Sequence, residues 1–173
     1  MHQLILLRHA KAAPEIAGSS DHDRPLTKAG QRAAAAIGQA MRKAGLAPDV
    51  VLVSSALRTQ QTFQALENAA LWEEWPNTDT LPALYMATSS QIRDLLRELP
   101  ETVRSALVIG HNPGLHELAV SLAKPENPQP ELARLSDSFP TASLAAFLVT
   151  SSWRRLGPST ASLQRFLQPA DVL

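Results

Sequence analysis

Apolar positions along the chain gather into short unbroken runs, separated by longer stretches in which they recur at helical spacing. Residues 3–7, 50–53, 106–109 and 143–150 are rich in Leu, Val and Ile. Runs of this length without polar alternation read as strands covered on both faces. Between them, Thr27 is placed to cap a helix that passes through the alanines at 33–36 and stops at Gly45, ahead of Pro48. Ser54 or Ser55 is placed to cap a second helix through Asn68, and Ser89 or Ser90 a third through Leu99, which Pro100 ends. Pro113-Gly114 opens a fourth through Ala123. This alternation predicts an α/β fold: a three-layer α/β/α sandwich with a mainly parallel central sheet, helices on both faces, and residues 162–167 as an antiparallel edge strand beside 143–150. Residues 124–140, with four prolines and three acidic residues, read as an irregular surface loop.

Length and composition narrow the picture. At 173 residues and 45% apolar content the chain is expected to form one domain spanning 1–173. Lys plus Arg equal Asp plus Glu at 16 each, so no net field draws it to nucleic acid, an anionic membrane or a polyanion. Any anion site is therefore local. The absence of Cys removes disulfides, thiolate catalysis and cysteine zinc sites, and fits a reducing compartment. The first apolar run stops at Arg8, too soon for a signal peptide or a membrane span, so a cytoplasmic location is expected.

Candidate chemistry lies where polar residues follow strands. Arg8-His9 follows the first strand, Ser54-Ser55 with Arg58 the second, and Gly110-His111-Asn112 another. Side chains just beyond the carboxyl ends of parallel strands converge on one crevice, so two histidines and two arginines are expected to meet. Two guanidinium forks match phosphate oxygens and neutralise a dianion without a metal. A neutral imidazole beside that group can attack phosphorus and split one difficult displacement into two easier ones. His9 is the better nucleophile, because Arg8 and a tight turn fix it. His111 would stabilise the equatorial oxygens, helped by the amides of the helix near Pro113.

The segments Leu7-Arg8-His9-Ala10, 54–62 and Gly110-His111-Asn112 resemble, in order and spacing, the histidine phosphatase superfamily that includes phosphoglycerate mutase. Residues 21–27, followed by Gly30, narrow the likeness to the SixA-like branch of phosphohistidine phosphatases. The resemblance covers about two thirds of the chain. It implies a sandwich with little or no cap, a phosphohistidine enzyme intermediate and no cofactor. It also implies protein substrates that carry phosphohistidine, such as phosphotransfer or phosphocarrier domains. Carried over residue by residue, His9 is the nucleophile, and Arg8, Arg58 and His111 form the phosphate pocket. Arg24 and Asn112 stand beside that pocket, and Asp21 matches the proposed proton donor. Ala10 stands where the superfamily usually has glycine, and Ser55 where many relatives have proline. Residues 81–88, where larger relatives place a glutamate acid, offer Leu84, Tyr85 and Met86. An alkoxide leaving group gains roughly 10²–10⁴-fold from a positioned acid, whereas an imidazole leaving group brings its own proton, which favours phosphohistidine over sugar phosphates.

Other readings compete. Asp21-His22-Asp23 as a metal cluster is disfavoured, because consecutive loop residues do not all face one ion. His111 and His116 point about 140° apart on a helix. His2 reads as inert, Trp72 and Trp75 as packing over a core edge, and Thr141 as a strand start. A small-molecule phosphomonoester phosphatase or mutase-like enzyme is one alternative, and a non-catalytic module that binds phosphorylated proteins is another. A monomer is the default assembly.

Overall fold

The computed structural model describes residues 1–126 and 129–173. Along the chain it forms β1 (His2–Arg8), α1 (Lys28–Ala44), β2 (Val50–Ser54), α2 (Leu57–Ala70), β3 (Asn77–Leu81), α3 (Ser89–Arg97) and β4 (Ser105–Gly110). There follow α4 (Gly114–Leu122), α5 (Pro130–Asp137), β5 (Leu144–Val149), β6 (Ala161–Leu167) and α6 (Pro169–Val172). The strands make a six-stranded sheet in the order β3-β2-β4-β1-β5-β6. β3, β2, β4 and β1 pair in parallel, β5 runs antiparallel to β1, and β6 antiparallel to β5. The expected mainly parallel sheet with helices on both faces is the one observed.

The unbroken apolar runs follow from burial on both sides. Leu4 and Leu6 pack on one face with Val108, Leu115 and Phe147, under α3, α4 and α5. Ile5 and Leu7, the alternate positions, pack on the other with Ile109, Ile37, Met41 and Leu66, under α1 and α2. Each such side chain contributes roughly 1.5–3 kcal/mol by burial, so no polar residue is tolerated in the middle of β1.

Local signals set the ends of the helices. The Thr27 hydroxyl accepts the Gly30 amide at 3.0 Å to start α1, and Gly45 closes it at φ 69°, a left-handed value that suits glycine. Thr88, one residue before the expected cap, starts α3 through a capping box with Gln91. α2 is capped by neither Ser54 nor Ser55: its N-cap is Ala56, with no side-chain bond, because both serine hydroxyls are engaged elsewhere.

Two elements depart from expectation. β3 reads NTDTL and is exposed over Asn77–Thr80; as an edge strand it is held by its backbone ladder to β2 and so shows no apolar run. The stretch 124–140, expected to be a loop, contains α5, with Pro130 in its first turn, where a missing N–H costs nothing, and Leu135 fully buried. Residues 127 and 128 of that expected loop lie outside the described residues. Among the described residues no helix is long and apolar enough to cross a membrane.

Two glycines draw loops onto the carboxyl end of the sheet. A Cβ at Gly30 would strike the Lys11 carbonyl, so the start of α1 lies hard against the turn after His9. A Cβ at Gly114 would strike the Ala87 carbonyl, which brings the segment after β3 against the start of α4.

Candidate active site

Register alone makes the two histidines neighbours. β1 and β4 pair so that Arg8 lies opposite Gly110, and the next residue in each chain is His9 and His111. Their ring centroids are 5.3 Å apart, at 53°. Val53 lies opposite Ile109, so Ser54 ends β2 at the same level. Arg58 enters from the first turn of α2 and is 2% exposed.

A backbone carbonyl fixes the His9 tautomer. His9 Nδ1 lies 2.7 Å from the Ala10 carbonyl, which only accepts, so Nδ1 carries the proton and Nε2 is left with its lone pair. Ala10 is held in turn by its amide on Thr62 Oγ1 at 3.0 Å, while the Thr62 hydroxyl donates to the Arg58 carbonyl. His111 Nε2 meets Ser54 Oγ at 2.7 Å, in a buried contact. The Ala56 amide donates to the same oxygen at 3.4 Å, and with the serine hydroxyl donating, His111 Nε2 is its acceptor. The ring proton of His111 then sits on Nδ1, which is buried and without a partner among the described residues, as are Arg8 Nε and Arg58 Nε. Three buried donors with nothing to bind is an arrangement that suits an anion.

Electrostatics keep both rings neutral. His9 is depressed from 6.5 to about 4, first by burial and then, against the Ala10 bond, by Arg58, Arg8 and Arg24. Burial, His9 and Arg58 depress His111 to about 3. Burial, followed by Arg58, also lowers Arg8.

Asp21 collects the remaining donors. Its Oδ1 takes Arg24 Nε at 2.9 Å, and its Oδ2 takes both Arg58 Nη2 at 3.1 Å and the Tyr85 hydroxyl. Its backbone carbonyl takes Arg58 Nη1 at 2.8 Å. Tyr85 is the largest cause, ahead of the arginines, of a carboxyl held at about 2. Asp21 therefore carries a charge and not a proton at neutral pH.

The structure brings His9, Arg8, Arg58, His111, Asp21 and Arg24 together. Arg24 also donates Nη1 to the Ala13 carbonyl. The Asn112 amide donates to the Phe139 carbonyl at 2.8 Å, which also accepts Arg8 Nη1 at 3.2 Å. Asn112 thus shares with Arg8 an anchor in the segment after α5. Two residues of the site, Ser54 and Tyr85, were named in the sequence but given no role in the chemistry. Ser54 ends a strand at the same level as Arg8, a signal that a capping role obscured. Tyr85 sits in the segment read only for its missing glutamate. His2 lies at the far end of β1, bonded to Glu101 and stacked on Trp153. His116 meets the Leu135 carbonyl. The Trp72 indole donates to the Leu46 carbonyl, and Trp75 is exposed.

Comparison with known proteins agrees with this geometry. Residues 4–81 match the model of the histidine phosphatase superfamily, branch 1. An uncharacterised protein of Mycobacterium tuberculosis is 34% identical over 167 residues, which cover 94% of this chain and 99% of the relative. A structure from Nakamurella multipartitia that bears the name phosphohistidine phosphatase SixA superposes with a TM-score of 0.84 at 30% identity, covering 97% of this chain and 96% of the other. A protein histidine phosphatase SixA complexed with tungstate superposes with a TM-score of 0.79 at 25% identity, covering 99% of both chains. The chain belongs to the histidine phosphatase superfamily, in its SixA-like branch. It is a phosphatase.

Proposed function

We propose that the chain removes phosphoryl groups from histidine side chains of other proteins, by way of a phosphohistidine on His9. The observation that carries this reading is the hydrogen bonding of the pocket. His9 is neutral with Nε2 unprotonated, while Asp21, the carboxyl beside the arginines, is ionised and tied to Tyr85, Arg58 and Arg24. A nucleophile is ready, but among the described residues no protonated carboxyl stands beside it for an alkoxide leaving group.

In the first step His9 Nε2 forms a bond to phosphorus as the P–N bond of the substrate breaks. The departing imidazole carries a proton on its other nitrogen and leaves neutral. Arg8, Arg58 and His111 Nδ1–H hold the phosphoryl oxygens as charge builds on them. The modified His9 ring keeps its Nδ1 proton on the Ala10 carbonyl, and is therefore a phospho-imidazolium and a good leaving group. Water then adds to phosphorus, gives its proton to the phosphate oxygens or solvent, and releases His9 neutral. Arg24 and Asn112 support the pocket through Asp21 and Phe139. One domain with little or no cap, acting as a monomer in the cytoplasm, would leave this pocket open to another protein's exposed histidine. The tungstate held by the SixA relative is an oxyanion of the kind such a pocket would bind.

The test is catalytic efficiency on a phosphohistidine-bearing phosphotransfer domain and on a panel of small phosphate esters, each with the unaltered chain and with His9→Ala. Fast, His9-dependent loss from phosphohistidine with poor ester hydrolysis is expected. Comparable turnover of an unactivated alkyl phosphate would sink the reading and move the function to small-molecule metabolism.

A further inference from the structure

Asp21 fixes both terminal nitrogens of Arg58, one through its carbonyl and one through its carboxylate. Yet Asp21 belongs to a single helical turn, residues 21–23, in a surface loop, and its side chain is 40% exposed. An exposed loop carboxylate is a poor anchor for a buried guanidinium unless something rigid holds it.

Tyr85 is placed to do so. It lies between Leu84, 1% exposed, and the Ala87 to Gly114 contact, so its backbone is tied to the core and to α4. Its ring stands edge-on to His111 at 5.5 Å and to His22 at 4.8 Å, and the Arg58 guanidinium lies 5.8 Å from its centre. Its hydroxyl donates to the same Asp21 oxygen that takes Arg58 Nη2. One side chain thus touches His111, underlies Arg58 and holds the residue that orients Arg58.

We propose that Tyr85 is a positioning residue of this phosphatase: its phenol fixes the Asp21 carboxylate, and through Asp21 it sets the angle at which Arg58 meets the phosphoryl oxygens. The inference rests on the reading of Arg58 as a phosphate ligand. Orientation matters most when three equatorial oxygens spread in the transition state, so a loosened Arg58 costs more there than in the ground state.

The experiment measures inhibition by metavanadate, which mimics the five-coordinate state, and by inorganic phosphate, in the unaltered chain, Tyr85→Phe, Asp21→Asn, the double variant and Arg58→Ala. Phenylalanine keeps the ring and removes only the hydroxyl. Tyr85→Phe is expected to weaken vanadate about tenfold and phosphate about two- to threefold, with little change in melting temperature. In the Asp21→Asn background the same substitution is expected to do nothing more, because Tyr85 acts through that carboxylate. An equal loss in both backgrounds would overturn the inference, as would a vanadate loss seen only with a matching fall in melting temperature. Should Asp21→Asn not fold, the vanadate-to-phosphate ratio in Tyr85→Phe decides alone: an unchanged ratio overturns the proposal. If Arg58→Ala loses phosphate while Tyr85→Phe changes nothing, only the role of Tyr85 fails. If Arg58→Ala binds phosphate as the unaltered chain does, the reading of the pocket fails and this inference with it.

Discussion

His2 and His9 stand at the two ends of β1, 8% and 7% exposed, yet their surroundings are opposite in sign. His2 Nε2 lies 2.6 Å from the Glu101 carboxylate, and its ring stacks on Trp153 at 4.6 Å. His9 spends Nδ1 on a backbone carbonyl and is surrounded by Arg8, Arg58 and Arg24. Burial is therefore common to both and explains neither role. What separates them is which nitrogen is left over: Nε2 of His2 is consumed by a carboxylate, whereas Nε2 of His9 stays a lone pair among three arginines.

The sharpest break between the two is mutational. His9→Ala is expected to lower turnover by about four orders of magnitude or more, as loss of a covalent nucleophile does. His2→Ala should leave turnover per folded molecule within about twofold and lower Tm by about 4 °C, through lost packing on Trp153. Activity assays paired with melting curves check both, and a catalytic loss in His2→Ala at unchanged Tm would erase the distinction.

A smaller effect is expected at the serine behind the second pocket histidine. Ser54→Ala frees His111 to take the other tautomer, so kcat should fall about tenfold while the fold persists. Steady-state kinetics read this directly, and an altered KM with kcat unchanged would separate Ser54 from the chemistry.

The smallest effect is on pH dependence. His9 titrates near 4 in the folded chain against an ordinary 6.5. Between those values the unfolded chain binds a proton that the folded chain does not, so stability rises with pH across that window and is lost as pH falls through it. His111, depressed to about 3, acts in the same direction. Denaturant midpoints at several pH values should show this slope, His9→Ala should flatten part of it, and NMR titration of the His9 ring should place its midpoint near 4.

The core of the fold was legible because β1, β2, β4 and β5 are buried on both faces and so carry unbroken apolar runs. β3 was not, because its residues face solvent and only its backbone pairs. α5 was hidden by prolines that in fact sit outside it or in its first turn. At the site, His9, Arg8, Arg58 and His111 follow strands or open a helix, positions that a strand pattern exposes. Ser54 and Tyr85 act through partners 57 and 64 residues away, Ser54 toward His111 and Tyr85 toward Asp21. No local pattern records such a pairing, and a serine after a strand reads as a cap for lack of that information.

The sheet order also has a meaning in time. β1 pairs with β4 and β5, which are made after it and begin at Ser105 and Leu144. His9 is therefore synthesised well before the strands that bury it, and Arg8 meets the Phe139 carbonyl only after a further 131 residues have been added. A chain interrupted before Ser105 carries His9 without β4 or His111, so the meeting of the two rings waits on a contact between segments far apart in sequence.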